Sequence, residues 1–158
     1  MEFSKKNLRT QREQRIRPVA ICVCLDRGRI LVAEYREKER LYYRPLGGTI
    51  EFGECGEQTI QREFREEIGT GLTDVRFLGA LENIYTHGKL RGHEIVLVYD
   101  SRLCDESLYE KNSLEGDELG QPFKAVWIQL KNIRATGHPV YPDGLLALLE
   151  KQTRSPAG

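Results

Sequence analysis

The chain has 158 residues, with 24 basic against 24 acidic side chains and 39% hydrophobic content. That length suits one domain able to bury a core without disulfide staples, and the even charge excludes both a disordered chain and a general nucleic-acid coat. Cys22, Cys24, Cys55 and Cys104 lack the C-x-x-C spacing of a zinc site, and no apolar run approaches the roughly 20 residues that cross a bilayer. With no signal-like apolar stretch at the start, a cytoplasmic protein with no membrane partner is expected.

Residues 1–18 carry Lys5, Lys6, Arg9, Arg12, Arg15 and Arg17 against Glu2 and Glu13. We assign 1–15 as a basic N-terminal extension, 16–153 as a single domain and 154–158 as a C-terminal tail. The extension has the charge to touch phosphates or an RNA end but lacks interleaved aromatic residues. Residues 19–25, Val-Ala-Ile-Cys-Val-Cys-Leu, form a continuous apolar run. They predict a strand buried on both faces, with Cys22 and Cys24 as small buried residues. Asp26-Arg27-Gly28 then turns the chain into a second strand at 30–33, and the two strands are expected to pair as a hairpin.

A charged loop from Arg36 to Arg40 leads to Leu41-Tyr42-Tyr43 and Arg44-Pro45-Leu46-Gly47-Gly48, where proline and paired glycines should stop regular structure. Tyr42, Tyr43 and Arg44 are candidates to stack on a base and hold a phosphate. Thr49 to Phe52 alternates like a short strand, and Gly53 to Gly56 breaks it. From Glu57 to Ile68 the period becomes helical: Ile60, Phe64 and Ile68 make an apolar stripe, and Gly69 is placed as the stop. Glu63, Glu66 and Glu67 fall at i, i+3 and i+4 on the adjacent arc, so packing the stripe presents the acids.

Strands are predicted over 75–85 and 94–99, around a turn at 87–92. A long acidic loop at 105–118 carries six acids against Lys111, and a strand at 125–130 puts Trp127 in the core. A last helix over Leu145–Leu149 begins near Pro142-Asp143. His87, His93 and His138 have no second ligand at metal spacing and read as bystanders.

Carboxylates crowded on one helix flank repel unless a cation neutralises them, and oxygen-only ligands favour magnesium or manganese over zinc. Magnesium keeps part of its water shell and is commonly shared with phosphate, so phosphate esters or diphosphates are the natural substrates.

The segment from Gly48 to Thr70 resembles the signature box of the Nudix hydrolases, Gly-x5-Glu-x7-Arg-Glu-U-x-Glu-Glu-x-Gly-U, with U an apolar residue. Gly48, Glu54, Arg62, Glu63, Phe64, Glu66, Glu67 and Gly69 match eight of the nine defined positions, and Thr70 departs where an apolar residue is usual. The resemblance implies an α/β fold, an α/β/α sandwich around a mixed sheet. It also implies magnesium-dependent hydrolysis of a diphosphate bond in a nucleoside diphosphate-linked molecule or nucleoside triphosphate. By the same resemblance Glu63, Glu66 and Glu67 are metal ligands, with the Gly48 carbonyl as a further one. Glu63 has a second possible task, orienting or deprotonating the water.

Arg62 would hold these acids in register, and Glu54 would brace loop against helix. A further carboxylate from a distant loop is expected, with Glu118 the first candidate and Glu115 and Asp117 its competitors. Manganese is a possible substitute for magnesium, and a homodimer is common in the family. Two alternatives stay open: a regulatory module that holds a nucleotide without cleaving it, and an enzyme that trims the 5′ end of RNA with the basic extension as a docking strip.

Overall fold

The computed structural model describes residues 15–154, so nearly all of the basic extension lies outside the described residues, as does most of the short C-terminal tail. Nine strands run in chain order: β1 (Ile16–Cys22), β2 (Leu25–Asp26), β3 (Arg29–Glu37), β4 (Arg40–Arg44), β5 (Leu46–Thr49), β6 (Leu72–His87), β7 (Leu90–Leu103), β8 (Ser113–Glu118) and β9 (Gln121–Gln129). The helices are α1 (Gly56–Ile68), the single turn α2 (Leu130–Ile133) and α3 (Leu145–Arg154). One sheet has the order β5-β1-β7-β6 and is mixed, because β1 runs parallel to β7. The other is antiparallel, ordered β2-β3-β9-β8, with β4 also on β3.

The apolar run at 19–25 does not form a hairpin with the strand after it. β1 pairs with β5 and β7 in the mixed sheet, and only Leu25-Asp26 turns back on β3. The reason is two-sided burial. Ala20 and Cys22 join one apolar cluster with Ile60 and Phe64 of α1, while Val19 and Ile21 join another with Leu145 and Leu149 of α3. A strand with helices over both faces must be a central strand, and that is what an unbroken apolar run encodes.

The glycine pair also departs from expectation. Leu46-Gly47-Gly48-Thr49 is a strand, paired antiparallel with β1, and the chain becomes irregular only from Ile50 onward. Gly47 lies at φ +151° with its Cα against the Ala20 carbonyl, where a Cβ would collide. Paired glycines serve close approach here, not chain reversal. Of the expected strand at 49–52 only Thr49 lies in β5; 50–52 belong to the loop beyond it, with Phe52 fully exposed.

Helix α1 appears where its period placed it. Gln58 accepts from the Cys55 amide at its start, and Gly69 ends it at φ +72°, donating to the Arg65 carbonyl. Thr70, the one departure from the box, is buried; its hydroxyl accepts from the Asp105 amide and donates to the Gly71 carbonyl. The polar side chain is therefore satisfied, as a buried hydroxyl must be.

The stretch read as an acidic loop is mostly structured, with a 3-10 turn at Glu106–Glu110 and β8 paired to β9. Its acids alternate with Leu114 and Gly116, so one face is buried while the other stays charged. Trp127 is half-buried beside the core, its Nε1 donating to the Leu108 carbonyl at 3.1 Å. The last helix is longer than read, reaching Arg154. Among the described residues no helix is long and apolar enough to cross a membrane.

Phe64 is fully buried between α1 and the sheets. Phe64→Ala should cost ~3–5 kcal/mol of unfolding free energy. Urea denaturation followed by circular dichroism measures it; a loss below about 1 kcal/mol would mean that α1 is held by something other than its apolar stripe.

Candidate active site

Helix α1 lies across β1 and β5 of the mixed sheet and β8 of the other, and a cleft of about 710 Å³ opens beside it. Gly48, Arg62, Glu63, Glu66, Glu67 and Glu118 all line this cleft, so the sequence candidates from three separate stretches are brought together. A volume of this size accommodates a nucleotide.

Arg62 organises the acids. Its Nε donates to Glu54 Oε1 at 2.7 Å and one terminal nitrogen donates to Glu54 Oε2 at 3.0 Å, a forked pair that ties the loop to the helix. The other terminal nitrogen donates to Glu63 at 2.9 Å and reaches Glu66 at 3.4 Å. The Thr49 carbonyl also accepts from Arg62, at 3.2 Å, which fixes the end of β5. These bonds hold the Glu54 carboxyl down to about 2, helped by the Thr59 hydroxyl and the Glu51 amide.

Gly48 has a different task from Gly47. A Cβ there would collide with the Glu63 carboxylate, so only glycine lets that acid lie against the β5 backbone. Glu66 is 57% exposed at the side chain, whereas Glu67 is only 8% exposed, so the acids do not share one solvent-facing flank. Burial, the charges of Glu63 and Glu118, a hydrogen bond to Glu63 and the charge of Glu66 push the Glu67 carboxyl up to about 9.

That crowding tests the fit of a metal. Among the described residues no three such side chains are gathered to grip an ion as they stand, because Arg62 engages Glu63 and reaches Glu66. The donor set is nevertheless all oxygen, and burial among like charges raises the proton affinity of its most buried member, Glu67. A hard divalent ion fits this chemistry.

Of the three loop acids, Glu118 lines the cleft at the end of β8. Asp117 lines it too, but its carboxylate accepts from the Gly120 amide at 2.7 Å and is committed to the turn. Glu115 faces elsewhere. Arg44 lines the cleft, whereas Tyr43 does not: it is buried in the cluster with Ile133 and Leu145, so the expectation that it contacts substrate is corrected. Alternation along β4 turns Tyr42 the other way, into a recess of about 130 Å³ with Tyr85 and Tyr141 that also contains Arg44.

The NUDIX-domain family model matches residues 14–148. The chain belongs to the NUDIX family. Members of this family generally use a divalent metal ion. The chain is 32% identical over 108 residues to the NAD-capped RNA hydrolase NudC of Mannheimia succiniciproducens, covering 63% of this chain and 40% of that protein. It is 37% identical over 81 residues to the NAD-capped RNA hydrolase NudC of Mycobacterium tuberculosis, covering 49% and 26% respectively. The match thus spans two-fifths or less of the length of these relatives.

A MutT NUDIX hydrolase from Burkholderia pseudomallei shares the fold, with a TM-score of 0.65, 21% identity, and coverage of 86% of this chain and 98% of that one. A MutT protein from Bacillus halodurans does so with a TM-score of 0.61, 17% identity, and coverage of 89% and 84%.

Sequence reasoning missed Glu94, Asn83, Tyr85 and Tyr141 as neighbours of this NUDIX cleft. Glu94 carried a signal, a lone acid beside the apolar residues 95–99, but nothing in its spacing pointed to a partner.

Glu67 links the site to stability. A folded carboxyl at about 9 against an ordinary value of 4.5 means that the folded state binds the proton more tightly. Metal-free stability is therefore fully present below about pH 4.5 and is lost as pH rises toward 9. Glu67→Gln removes that loss. In EDTA its melting temperature should exceed the wild type's at pH 8, and the gap should close toward pH 5; a gap independent of pH in a thermal-denaturation series would contradict the crowding.

Proposed function

We propose that this NUDIX protein hydrolyses the diphosphate bond of a nucleotide or nucleotide-linked small molecule, with magnesium as its ion and manganese as a substitute. The observation that carries this reading is the half-buried acid cluster ordered by Arg62, with Glu118 across the same cleft. A non-catalytic nucleotide-holding module would have no need to keep acids in such mutual repulsion.

Glu63, Glu66 and Glu67, with the Gly48 carbonyl, would hold the ion. A bound magnesium ion lowers the pKa of water and offsets the charge that develops on a departing phosphate. Arg62 keeps Glu54 and Glu63 in register, so the ligands need no reordering when substrate arrives. Glu118 lies free of a protein hydrogen bond to the turn that binds Asp117, and we assign it as the acceptor of the proton from the attacking water or as an additional ligand. Arg44 would engage a substrate phosphate. A cytoplasmic location, among nucleotide pools, and a homodimer complete this proposal.

A second reading is favoured by the names of the relatives: removal of an NAD cap from RNA, with residues 1–15 as the docking strip. It requires the strip to act through phosphate contacts, so RNA processing should fall steeply with salt and be lost on deleting 1–15, while small nucleotides are cleaved as before. Equal action of the truncated protein on capped RNA would reject it.

The deciding experiment is product release from a panel of nucleoside triphosphates, ADP-ribose, NAD, nucleotide sugars, dinucleoside polyphosphates and capped RNA, with magnesium and with EDTA. Activity on at least one member that vanishes in EDTA is expected, whereas nucleotide binding without product would favour the regulatory module. Glu66→Gln should lower turnover by about two orders of magnitude or more with an unchanged circular dichroism spectrum, since one charged ligand is lost from an exposed position. Wild-type turnover in that variant would overturn the assignment.

A further inference from the structure

Behind two arginines of the cleft wall stands a carboxylate with almost no solvent contact. Glu94 on β7 pairs in register with Arg17 on β1 and with Asn83 on β6, so the three stand in one row across the mixed sheet. Arg17 donates to Glu94 Oε1, and Asn83 donates to Oε2 at 2.9 Å. Arg44, at the end of β4, donates to the same Oε2 at 3.4 Å. The side-chain exposures are 1% for Glu94, 49% for Arg17 and 26% for Arg44.

A carboxylate so buried is costly unless paired and hydrogen-bonded. Burial works against its ionisation, yet the hydrogen bonds from Arg17 and Asn83 and the charges of Arg44 and Arg17 hold its carboxyl below the ordinary range. One negative charge between two positive ones leaves an excess of one positive charge. Each guanidinium carries five N–H donors, and Glu94 accepts from one nitrogen of each, so most donors remain for something else. Both arginines line the cleft that contains the acids of α1. The cleft wall therefore carries both the carboxylates of α1 and a preorganised cationic pair.

We propose that Glu94 is a positioning residue that presents Arg17 and Arg44 as a paired clamp for a phosphate group of the substrate in the cleft they share with Glu63, Glu66 and Glu67. This deepens the diphosphatase reading above and rests on it for the identity of the anion. The clamp selects for a substrate with a phosphate beyond the one near the acids, and Asn83 fixes the carboxylate so that neither arginine can draw it aside. Arg44 also borders the recess of Tyr42, Tyr85 and Tyr141, which orients the remainder of the substrate toward those rings.

The test uses inorganic pyrophosphate as probe, titrated calorimetrically into the full-length protein in EDTA, where hydrolysis is stopped. The wild type should bind it. Arg17→Ala and Arg44→Ala should each weaken binding at least tenfold, and Glu66→Gln should leave it equal or tighter because a nearby negative charge is gone. Glu94→Gln should weaken it comparably, and adding Arg17→Ala to it should cost less than Arg17→Ala alone, since a disordered clamp has less to lose.

Should Glu94→Gln not fold, Asn83→Leu, which frees only one carboxylate oxygen, supplies the same comparison. On whichever nucleotide is cleaved, these variants should raise KM at least tenfold with a far smaller fall in kcat, the mark of lost binding rather than lost chemistry. No pyrophosphate binding by the wild type, or equal binding by Arg17→Ala and Arg44→Ala, would overturn the clamp. Failure of every nucleotide in the panel with pyrophosphate binding intact would instead overturn the diphosphatase reading and leave the clamp standing.

Discussion

One guanidinium holds the α1 side of the cleft together. Arg62 engages both oxygens of Glu54, one oxygen of Glu63 and the Thr49 carbonyl, so the end of a strand, a loop and a helix all meet on a single planar group. Such forked, charge-assisted bonds carry direction as well as energy. Without that cation the carboxylates of the loop and helix would repel one another, and the loop from Ile50 to Cys55 would keep the Thr59 hydroxyl on Glu54 and the Gln58 side chain on the Cys55 amide but lose its charge-assisted tie to α1.

That tie works because the frame beneath it is set by two-sided burial. β1 gives alternate side chains to two apolar clusters, one under α1 and one under α3. The glycines of β5 let backbone lie flush against β1 and let Glu63 lie flush against β5. Close packing on this scale leaves the acid positions little freedom, so Glu67 ends up nearly buried among its own kind. Burial and the neighbouring acids raise its proton affinity, the direction in which a nearby positive charge would be favoured.

The same sheet generates the opposite polarity elsewhere in the cleft. Where α1 crowds negative groups around one arginine, Arg17 of the row formed by β1, β7 and β6 and Arg44 of β4 bring two positive groups to one glutamate. Both are unequal ion clusters whose residual charge faces the cleft. A diphosphate would be complementary to such a pair if the acids held a divalent ion, which connects electrostatics to the proposed substrate without any appeal to a particular base.

Much of this was legible in residue order because it is local. Helix α1, its apolar stripe, its glycine stop and the proximity of Glu63, Glu66 and Glu67 all depend on contacts within a few residues, and helical periodicity determines them. The same holds for the burial of Cys22 and Cys24 in an apolar run. Partners in a sheet are another matter, since strand pairing is chosen by the competition of the whole chain to bury its faces. Only the tertiary structure could decide that β1 joins β5 and β7 rather than the next strand, that Gly47 and Gly48 lie within a strand, that Tyr43 turns inward while Arg44 reaches the cleft, and that Glu94 stands between two arginines. Those outcomes are long-range contacts, and neither period nor spacing along the chain carries information about them.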